Sequence, residues 1–350
     1  MEREVEVVVI GAGQAGLAAA HSLRRHFDPE SGFVVFDHNP GPGGAWQHRW
    51  PTLTFATVNR VYQLPQMSMP EPDEGTPVAD VIPGYFADYE RAFDLRVQRP
   101  VSVRAVRSLP DKRLEVETDH GTWTARALVN ATGTWERPFW PRYPGQETFG
   151  GRQLHTAQYR GPWEFEDRRV IVVGGGISGI QHLMEIHPLA AAAHWVTRRP
   201  PRWREGEFDP EYGREVVAKV EKRVRQGLRP RSVISATGIP LSPEVRDARE
   251  SGVLDRLPMF DRIEPAGAVW EDGRFVEADT ILWATGFRAA LDHLAPLKLR
   301  GPRGGIAMDG TRVAADPRVH LVGYGPSAST IGANRAGRTA VREIRELLAT

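Results

Sequence analysis

Two short glycine patterns and one longer string carry most of the chemistry that this sequence suggests. Gly11-Ala-Gly-Gln-Ala-Gly16 and Gly174-Gly-Gly-Ile-Ser-Gly179 share the spacing G-x-G-x-x-G, and the string Phe149 to Tyr159 (FGGRQLHTAQY) lies between them. In this spacing the first glycine permits a tight turn, the second lets the backbone approach a pyrophosphate, and the third lets a helix pack closely on a strand. The sequence therefore predicts two dinucleotide sites in one chain, between which electrons pass.

The first pattern has the flanking elements that such a site needs. Val5 to Ile10 is a β-branched run typical of a buried parallel strand, a helix is predicted from Gln14, and a second strand ends in Asp37. A carboxylate at that point is the usual partner of a ribose hydroxyl. The Gly-Gly-Ala-Trp run that follows is typical of FAD sites, although a tryptophan there could also be a core residue. The candidate FAD residues are Gly11, Gly13, Gln14, Ala15, Gly16, Asp37, Gly43, Gly44, Ala45 and Trp46.

The second pattern differs at the end of its following strand. The strand near His194 to Val196 runs into Thr197-Arg198-Arg199, with no acidic residue there. A carboxylate would repel the additional phosphate of NADP, whereas arginines offer it charge-assisted hydrogen bonds. We therefore predict NADPH as the preferred donor, with NADH as a weaker one, and leave open the alternative of a solvated basic loop. The candidate residues are Gly174, Gly176, Ile177, Ser178, Gly179, Arg198 and Arg199.

Composition bounds the class of protein. With 350 residues, 41% apolar and 25% charged, the chain suits two α/β domains. A net charge of +1 gives no reason to expect a nucleic acid or an anionic membrane as partner. The absence of cysteine excludes disulfides, thiolate metal sites and dithiol relays, and no metal site is predicted. Because no signal peptide or membrane span is recognisable, we expect a cytoplasmic protein.

The middle string matches a family pattern. Phe149, Gly151, His155 and Tyr159 fit F-x-G-x-x-x-H-x-x-x-[YFW]. Together with the Gly-Gly-x-Trp run and two Ala-Thr-Gly segments, at 131–133 and 284–286, this makes the chain similar to the class B flavin-containing monooxygenases. The resemblance covers nearly the whole chain and is greatest to the short bacterial members.

The resemblance implies an α/β fold of two Rossmann-like domains, with a NAD(P)-binding domain inserted into an FAD-binding domain. The expected boundaries are 1–161 for the first part of the FAD domain, 168–280 for the NAD(P)H domain and 281–350 for the second part of the FAD domain. Further candidates for cofactor contact at the chain crossings and before the last helix are Ala131, Thr132, Gly133, Thr285, Gly286 and Gly323. A third Ala-Thr-Gly, at 236–238, is interpreted as a loop or strand end.

The resemblance also implies a reaction. NADPH reduces FAD, and the reduced flavin combines with oxygen to give a flavin hydroperoxide that oxygenates soft nucleophiles such as sulfides, amines and indole. This chemistry requires no acid–base dyad, since the cofactor carries it. We therefore expect His155 and Tyr159 to couple nucleotide binding to domain geometry rather than to transfer protons. The expected partners are a small organic substrate and molecular oxygen, and a homodimer is left open.

One departure from the family concerns the flavin site. Many members carry an asparagine in a Ser-Leu-x-x-Asn context, where this chain reads Thr52-Leu-Thr-Phe-Ala56, with Asn59 three residues beyond. Either Asn59 replaces it through a shifted loop or the contact is absent, so the lifetime of the hydroperoxide is open. A substrate cleft is predicted between the regions 50–69 and 203–212.

Three rival functions remain. Baeyer–Villiger oxygenation of ketones uses the same flavin adduct, but those enzymes are usually longer and carry tryptophan where Tyr159 stands. A cysteine-free FAD-dependent NAD(P)H reductase would lack the Phe149 to Tyr159 pattern. A non-enzymatic flavin sensor would bind cofactor without turnover.

Overall fold

The structure is a computed structural model that describes residues 3–28, 30–59, 61–206, 210–230 and 238–349. For residues 210–214, 330 and 331 it describes the backbone alone. Most of the third Ala-Thr-Gly, residues 236 and 237, lies outside the described residues.

The α-helices are α1 (Gln14–Arg24), α2 (Val78–Ala92), α3 (Ile177–Ile186), α4 (Pro210–Arg225), α5 (Pro243–Glu250) and α6 (Thr330–Leu348). Short 3-10 helices cover Gly44–His48, Gln146–Thr148, Thr156–Gln158, Pro162–Phe165, Asp292–Leu297 and Gly325–Ser327. The first strands are β1 (Arg3–Ile10), β2 (Phe33–Phe36), β3 (Val103–Ser108), β4 (Leu114–Thr118), β5 (Gly121–Asn130), β6 (Arg152–His155), β7 (Arg169–Val173), β8 (Ala192–Thr197) and β9 (Trp203–Arg204). The later strands are β10 (Ile239–Pro240), β11 (Arg256–Pro258), β12 (Arg262–Glu264), β13 (Gly267–Val269), β14 (Phe275–Glu277), β15 (Thr280–Trp283), β16 (Met308–Asp309), β17 (Arg312–Val313) and β18 (Asp316–Leu321).

The first of two compact units, unit 1, comprises Met1–Thr134, Arg214–Val233 and Ala289–Thr350. Its sheet has the order β16-β17-β18-β5-β1-β2, in which β18, β5, β1 and β2 are parallel and the β3–β4 hairpin joins β5. The β-branched residues of β1 are buried on both faces of this sheet, as its sequence predicted. Helices α1 and α6 pack so closely that a Cβ on Gly337 would lie 2.7 Å from the Ala19 backbone nitrogen.

The second compact unit, unit 2, comprises Trp135–Gly213 and Ile234–Arg288. Its parallel sheet has the order β11-β8-β7-β15-β6, and the antiparallel strands β12, β13 and β14 form a separate small sheet. An aromatic core that includes Phe149, Phe260 and Trp283 is buried in this unit. The predicted α/β class with two Rossmann-like parallel sheets is confirmed.

The limits of the units differ from the boundaries expected at 161, 168, 280 and 281. Strand β15 lies between β6 and β7, with Trp283 opposite both His155 and Val173, so residues 135–161 and 281–288 group with unit 2. Residues 214–233 group with unit 1, because Val220 and Val224 are buried in its core. Both differences arise from long-range packing, which no local sequence pattern records.

Candidate functional site

The first glycine turn has three differently constrained positions. Gly11 has φ +97°, and a Cβ on it would lie 2.6 Å from the Ala131 carbonyl oxygen. A Cβ on Gly16 would lie 1.8 Å from the Gly11 carbonyl oxygen, which is closer than any side chain permits. On Gly13 the nearest atom would be the Gly44 Cα at 3.9 Å. The turn thus needs glycine at its first and third positions because any side chain there would clash with the backbone. The second position has open space beside it, which fits a pyrophosphate next to the backbone.

The second glycine turn repeats this arrangement. Gly174 has φ +148°, and its Cβ would lie 2.1 Å from the Ala284 carbonyl oxygen, while that of Gly179 would lie 2.7 Å from the Gly174 carbonyl oxygen. No atom lies within 4 Å of the Cβ position on Gly176. Ile177 and Ser178 begin α3 and are half-buried. Both units therefore hold the same open position before a helix N-terminus, where a phosphate is favoured.

The Gly-Gly pair lies directly against the first turn. Gly43 and Gly44 have φ +120° and +52°, and a Cβ on Gly44 would lie 2.8 Å from the Gly13 Cα. Ala45 and Trp46 follow in the short 3-10 helix, where both are half-buried. Gly323 also approaches this turn: it has φ +68°, and its Cβ position is 3.6 Å from the Ala15 Cβ.

Asp37 is buried at the end of β2 and is held from two sides. The Asn39 side-chain amide donates to Oδ1 at 3.0 Å, and the Arg99 Nε donates to Oδ2 at 3.2 Å. Arg99 also makes two 2.6 Å hydrogen bonds to Glu90 on α2. The carboxylate is therefore fixed in orientation at the position expected for a ribose partner. Sequence reasoning missed Arg99, since it lies 62 residues from Asp37 and belongs to no motif.

Arg198 and Arg199 are exposed immediately after β8, the strand that pairs with the strand of the second turn. The Trp195 indole on β8 donates to the Gly174 carbonyl oxygen at 2.7 Å. Arg256 donates to the Thr197 carbonyl oxygen at 2.9 Å and so fixes the end of β8. Because the carboxyl ends of parallel strands share one sheet edge, both cations follow β8 at the edge where the glycine turn lies. Arg256 was also missed, because no spacing connects it with β8.

The middle motif begins with two packing residues. Phe149 is buried in the core of unit 2. A Cβ on Gly151 would lie 2.3 Å from the Asp279 carbonyl oxygen and 2.7 Å from the Phe149 ring. The motif therefore requires a glycine at position 151 so that β6 can enter the sheet beside β15.

His155 is fully buried, and both of its ring nitrogens are engaged. Nδ1 accepts a hydrogen bond from the Ala157 backbone N–H at 3.1 Å, so Nε2 carries the proton and donates to the Gly286 carbonyl oxygen at 3.1 Å. Burial lowers the pKa of His155 to about 4, although the bond to Gly286 acts in the opposite direction. This is a neutral imidazole in one tautomer, which supports a positioning function rather than proton transfer.

Tyr159 ends the motif and fastens it to α3. Its hydroxyl donates to the Glu185 carboxylate at 2.6 Å, and its ring lies 4.0 Å from that of His182. Burial, and then the contact with Glu185, raise the pKa of Tyr159 well above its ordinary value. The motif thus joins β6, the segment after β15, and the helix that follows the second glycine turn. Glu185 was not singled out from the sequence, because no motif distinguishes it from the many other charged residues.

The two Ala-Thr-Gly segments use their threonines in the same way. Within unit 1 the Thr132 hydroxyl donates to the Ala290 carbonyl oxygen at 2.6 Å. Within unit 2 the Thr285 hydroxyl donates to the Phe139 carbonyl oxygen at 2.5 Å. Ala131 is buried, whereas Gly133 and Gly286 have φ +61° and +78° with open space at their Cβ positions. In each unit the threonine therefore ties its Ala-Thr-Gly segment to a stretch of chain that is distant in sequence.

Asn59, proposed as a replacement for the family asparagine, is exposed at a bend. The amides that lie near the first glycine turn are instead those of Gln14 and Asn334, which bond to each other at 2.8 Å. Sequence reasoning did not single out Asn334. Of the region 203–212, residues 207–209 lie outside the described part of the chain, and the predicted cleft stays a prediction.

Comparison with known proteins places the chain in a family. A family model described as pyridine nucleotide-disulphide oxidoreductase matches residues 8–239, more than half of the chain. A solved flavin monooxygenase from Stenotrophomonas maltophilia, in a double-mutant form, is 37% identical, with 99% of both chains covered and a TM-score of 0.84. The chain therefore belongs to the pyridine nucleotide-disulphide oxidoreductase family, and it is a flavin monooxygenase.

Two curated relatives match over only part of their own length. An uncharacterized oxidoreductase, CzcO-like, from Geobacillus kaustophilus is 31% identical over 53% of this chain and 52% of the relative. A Baeyer–Villiger monooxygenase from Pseudomonas aeruginosa is 29% identical over 57% of this chain and 38% of the relative. These matches span about half or less of the curated relatives.

Flavin monooxygenases of this type use FAD and NADPH, as the two glycine patterns predicted. The name of the first family includes disulphide reduction, yet this flavin monooxygenase has no cysteine with which to relay electrons to a disulfide. None of the described helices is both long and apolar enough to cross a bilayer.

Proposed function

We propose that this protein is an NADPH- and FAD-dependent monooxygenase that adds one oxygen atom to a soft nucleophile. Organic sulfides and amines are the proposed substrate class, with indole as a further candidate. One oxygen atom of O2 enters the substrate, the other leaves as water, and NADPH supplies the two electrons. The observation that carries this proposal is the pair of glycine turns, each closed at its first and third positions and open at its second.

The proposed FAD site lies in unit 1, and the proposed NADPH site in unit 2. In unit 1 FAD is held by Gly11, Gly13, Gln14, Ala15, Gly16, Asp37, Gly43, Gly44, Ala45, Trp46, Ala131, Thr132, Gly133 and Gly323. In unit 2 NADPH is held by Gly174, Gly176, Ile177, Ser178, Gly179, Arg198 and Arg199, with Thr285 and Gly286 at the chain crossing. NADH is proposed as a weaker donor.

FAD, when bound, supplies the oxygen-activating chemistry. The residues of the chain bind and orient it: Asp37, fixed by Arg99, accepts hydrogen bonds from the ribose, and the helix N-termini favour the phosphates. His155 keeps its proton on Nε2, where it holds Gly286, and Tyr159 holds α3. With these functions, neither His155 nor Tyr159 needs to transfer a proton.

Oxygenation of ketones by the Baeyer–Villiger route is the second candidate. It is favoured by the similarity to the Pseudomonas aeruginosa enzyme and disfavoured by tyrosine at position 159. A cysteine-free reductase is the third candidate, and the complete Phe149 to Tyr159 pattern argues against it. A cytoplasmic location, a homodimer and a role for Asn59 stay predictions from the sequence.

The test is oxygen consumption by FAD-loaded protein with NADPH and, separately, an organic sulfide, an amine, indole or a cyclic ketone. We expect sulfoxide or N-oxide to form in proportion to NADPH, with little hydrogen peroxide. Lactone formation without sulfoxide would favour the ketone route. NADPH oxidation that proceeds without oxygen, through an artificial acceptor only, would identify a reductase and refute the proposal.

A further inference from the structure

Residues 61–67 of unit 1 have no regular secondary structure, yet side chains from α2 fasten their backbone. The Tyr85 hydroxyl accepts from the Leu64 N–H at 2.7 Å and donates to the Met67 carbonyl oxygen at 2.7 Å. The Tyr89 hydroxyl donates to the Pro65 carbonyl oxygen at 2.9 Å. These bonds hold the second half of the segment, from position 64 onward.

The first half of the segment is fastened by two amides from other helices. The Asn334 amide on α6 donates to the Gln63 carbonyl oxygen at 2.8 Å, so its Oδ1 faces the other way and accepts from Gln14 Nε2 at 2.8 Å. Gln14, the first residue of α1, also donates to the Tyr62 carbonyl oxygen at 3.2 Å. Because both backbone carbonyls can only accept, the orientation of both amides is determined.

This arrangement leaves one atom without a partner. Gln14 is 9% exposed, its amide donates two hydrogen bonds, and its Oε1 is buried without a hydrogen-bond donor. A buried acceptor without a donor is unfavourable and is rare in folded proteins. Gln14 follows Gly13, the open position of the first turn, so the missing donor belongs to the group that the turn accommodates.

We propose that Gln14 Oε1 accepts a hydrogen bond from a hydroxyl or N–H of FAD, and that the Gln14–Asn334 pair transmits FAD occupancy to residues 61–67. Binding of the flavin fixes the Gln14 amide, which then holds Asn334 and the Tyr62 and Gln63 carbonyls in place. Residues 61–63, the half of the segment that these two amides hold, are therefore more firmly fixed when FAD is present than when it is absent. The inference rests on the proposed FAD site in unit 1.

The experiment is hydrogen exchange of peptides covering 61–69 in the full-length protein, with and without FAD, alongside the FAD dissociation constant from flavin fluorescence. In the wild type we expect FAD to slow exchange in this segment about tenfold. Asn334→Ala should still bind FAD, within about fivefold of the wild type, but lose the FAD-dependent slowing. Gln14→Leu should bind FAD about tenfold more weakly and lose the slowing as well.

The matched control is Arg335→Ala, the exposed neighbour of Asn334 on the same helix, which should behave as the wild type. If Asn334→Ala keeps the full slowing, or if FAD never slows exchange at 61–69 in the wild type, the transmission is refuted while FAD binding stands. If Gln14→Leu binds FAD as tightly as the wild type, the hydrogen bond is refuted. Failure of the wild type to bind FAD would instead refute the proposed function.

Discussion

Some residues of this chain have side chains that could take part in catalysis but instead hold other groups in position. His155 has the residue type of a general acid or base, but its two nitrogens face Gly286 and Ala157, and burial favours the neutral ring. Spacing alone identified the residue, whereas its function depends on partners that lie 131 and two residues further along the chain. The same logic applies to Tyr159, whose hydroxyl is committed to Glu185.

Acid should destabilise the protein through its buried and half-buried histidines. Burial lowers the pKa of His155, His293 and His320 to about 4, and that of His182 to about 3. The unfolded chain takes up protons near pH 6.5 and the folded chain only near pH 4, so this stability is complete above pH 6.5 and lost as the pH falls towards 4. For His155 alone the loss is about 3 kcal/mol.

Urea unfolding between pH 8 and 4.5 measures this effect. His155→Gln should be less stable at pH 8 and show a weaker pH dependence, because one such group is gone. His120→Gln, which removes a histidine at an exposed turn, is the control variant. An unaltered slope in His155→Gln would show that this histidine titrates alike in both states.

Nucleotide preference should depend on the two exposed arginines after β8. Replacing Arg198 and Arg199 together by alanine removes charge-assisted bonds to the additional phosphate, so the NADPH dissociation constant should rise at least about tenfold. NADH binding should be unaffected, because it lacks that phosphate. Titration with both nucleotides measures the difference, and Arg274→Ala, an exposed arginine elsewhere in unit 2, is the control. Equal losses for both nucleotides would contradict this assignment.

At the scale of elements, the strand–turn–helix units were predictable and their neighbours were not. The run at 5–10 predicts β1 to within two residues, and the helix predicted from Gln14 is observed as Gln14–Arg24. Local periodicity suffices for these, since each buries one continuous apolar stretch. The pairing of β6 with β15 joins segments far apart in the chain, and in unit 1 Arg99 and Asn334 likewise reach Asp37 and Gln14 from distant segments.

The open and closed glycines of the second turn should respond differently to the same substitution. Gly176→Ala adds a methyl group to open space, so thermal stability should be kept while NADPH binding weakens at least about tenfold. In Gly179→Ala the methyl group meets the Gly174 carbonyl oxygen, a backbone atom that cannot yield cheaply, so the melting temperature should fall.

Calorimetry and nucleotide titration of both variants distinguish the two positions. Gly121→Ala, at a turn far from both glycine patterns in sequence, is not a neutral control because its φ of +119° makes any side chain unfavourable. Gly41→Ala is suitable, since its Cβ position has no neighbour within 4 Å. A melting temperature that falls equally in Gly176→Ala and Gly179→Ala would show that position 176 is needed for the fold rather than for the ligand.

The whole molecule consists of two units that each contain one glycine turn, so each cofactor should stabilise its own unit. FAD alone should slow hydrogen exchange mainly in peptides from 1–134 and 289–350, and NADP+ alone mainly in those from 135–206 and 238–288, because a ligand stabilises the state that binds it. Adenosine 2′,5′-bisphosphate, which carries only the phosphate-bearing end, is the control and should protect unit 2 alone. Protection spread evenly over the chain with either ligand would contradict two separate sites.

Helix α4 limits how the two units could be recombined. Its valines at 220 and 224 fill the core of unit 1, and a Cβ on Gly325 would lie 3.0 Å from the Val224 Cγ2, although both neighbouring stretches of chain belong to unit 2. If residues 135–288 were replaced as one block by those of a relative, α4 would be replaced as well, and the core of unit 1 would receive side chains from another protein. Exchange of donor specificity between such enzymes therefore requires two separate grafts, 135–206 and 238–288, so that α4 keeps its own sequence.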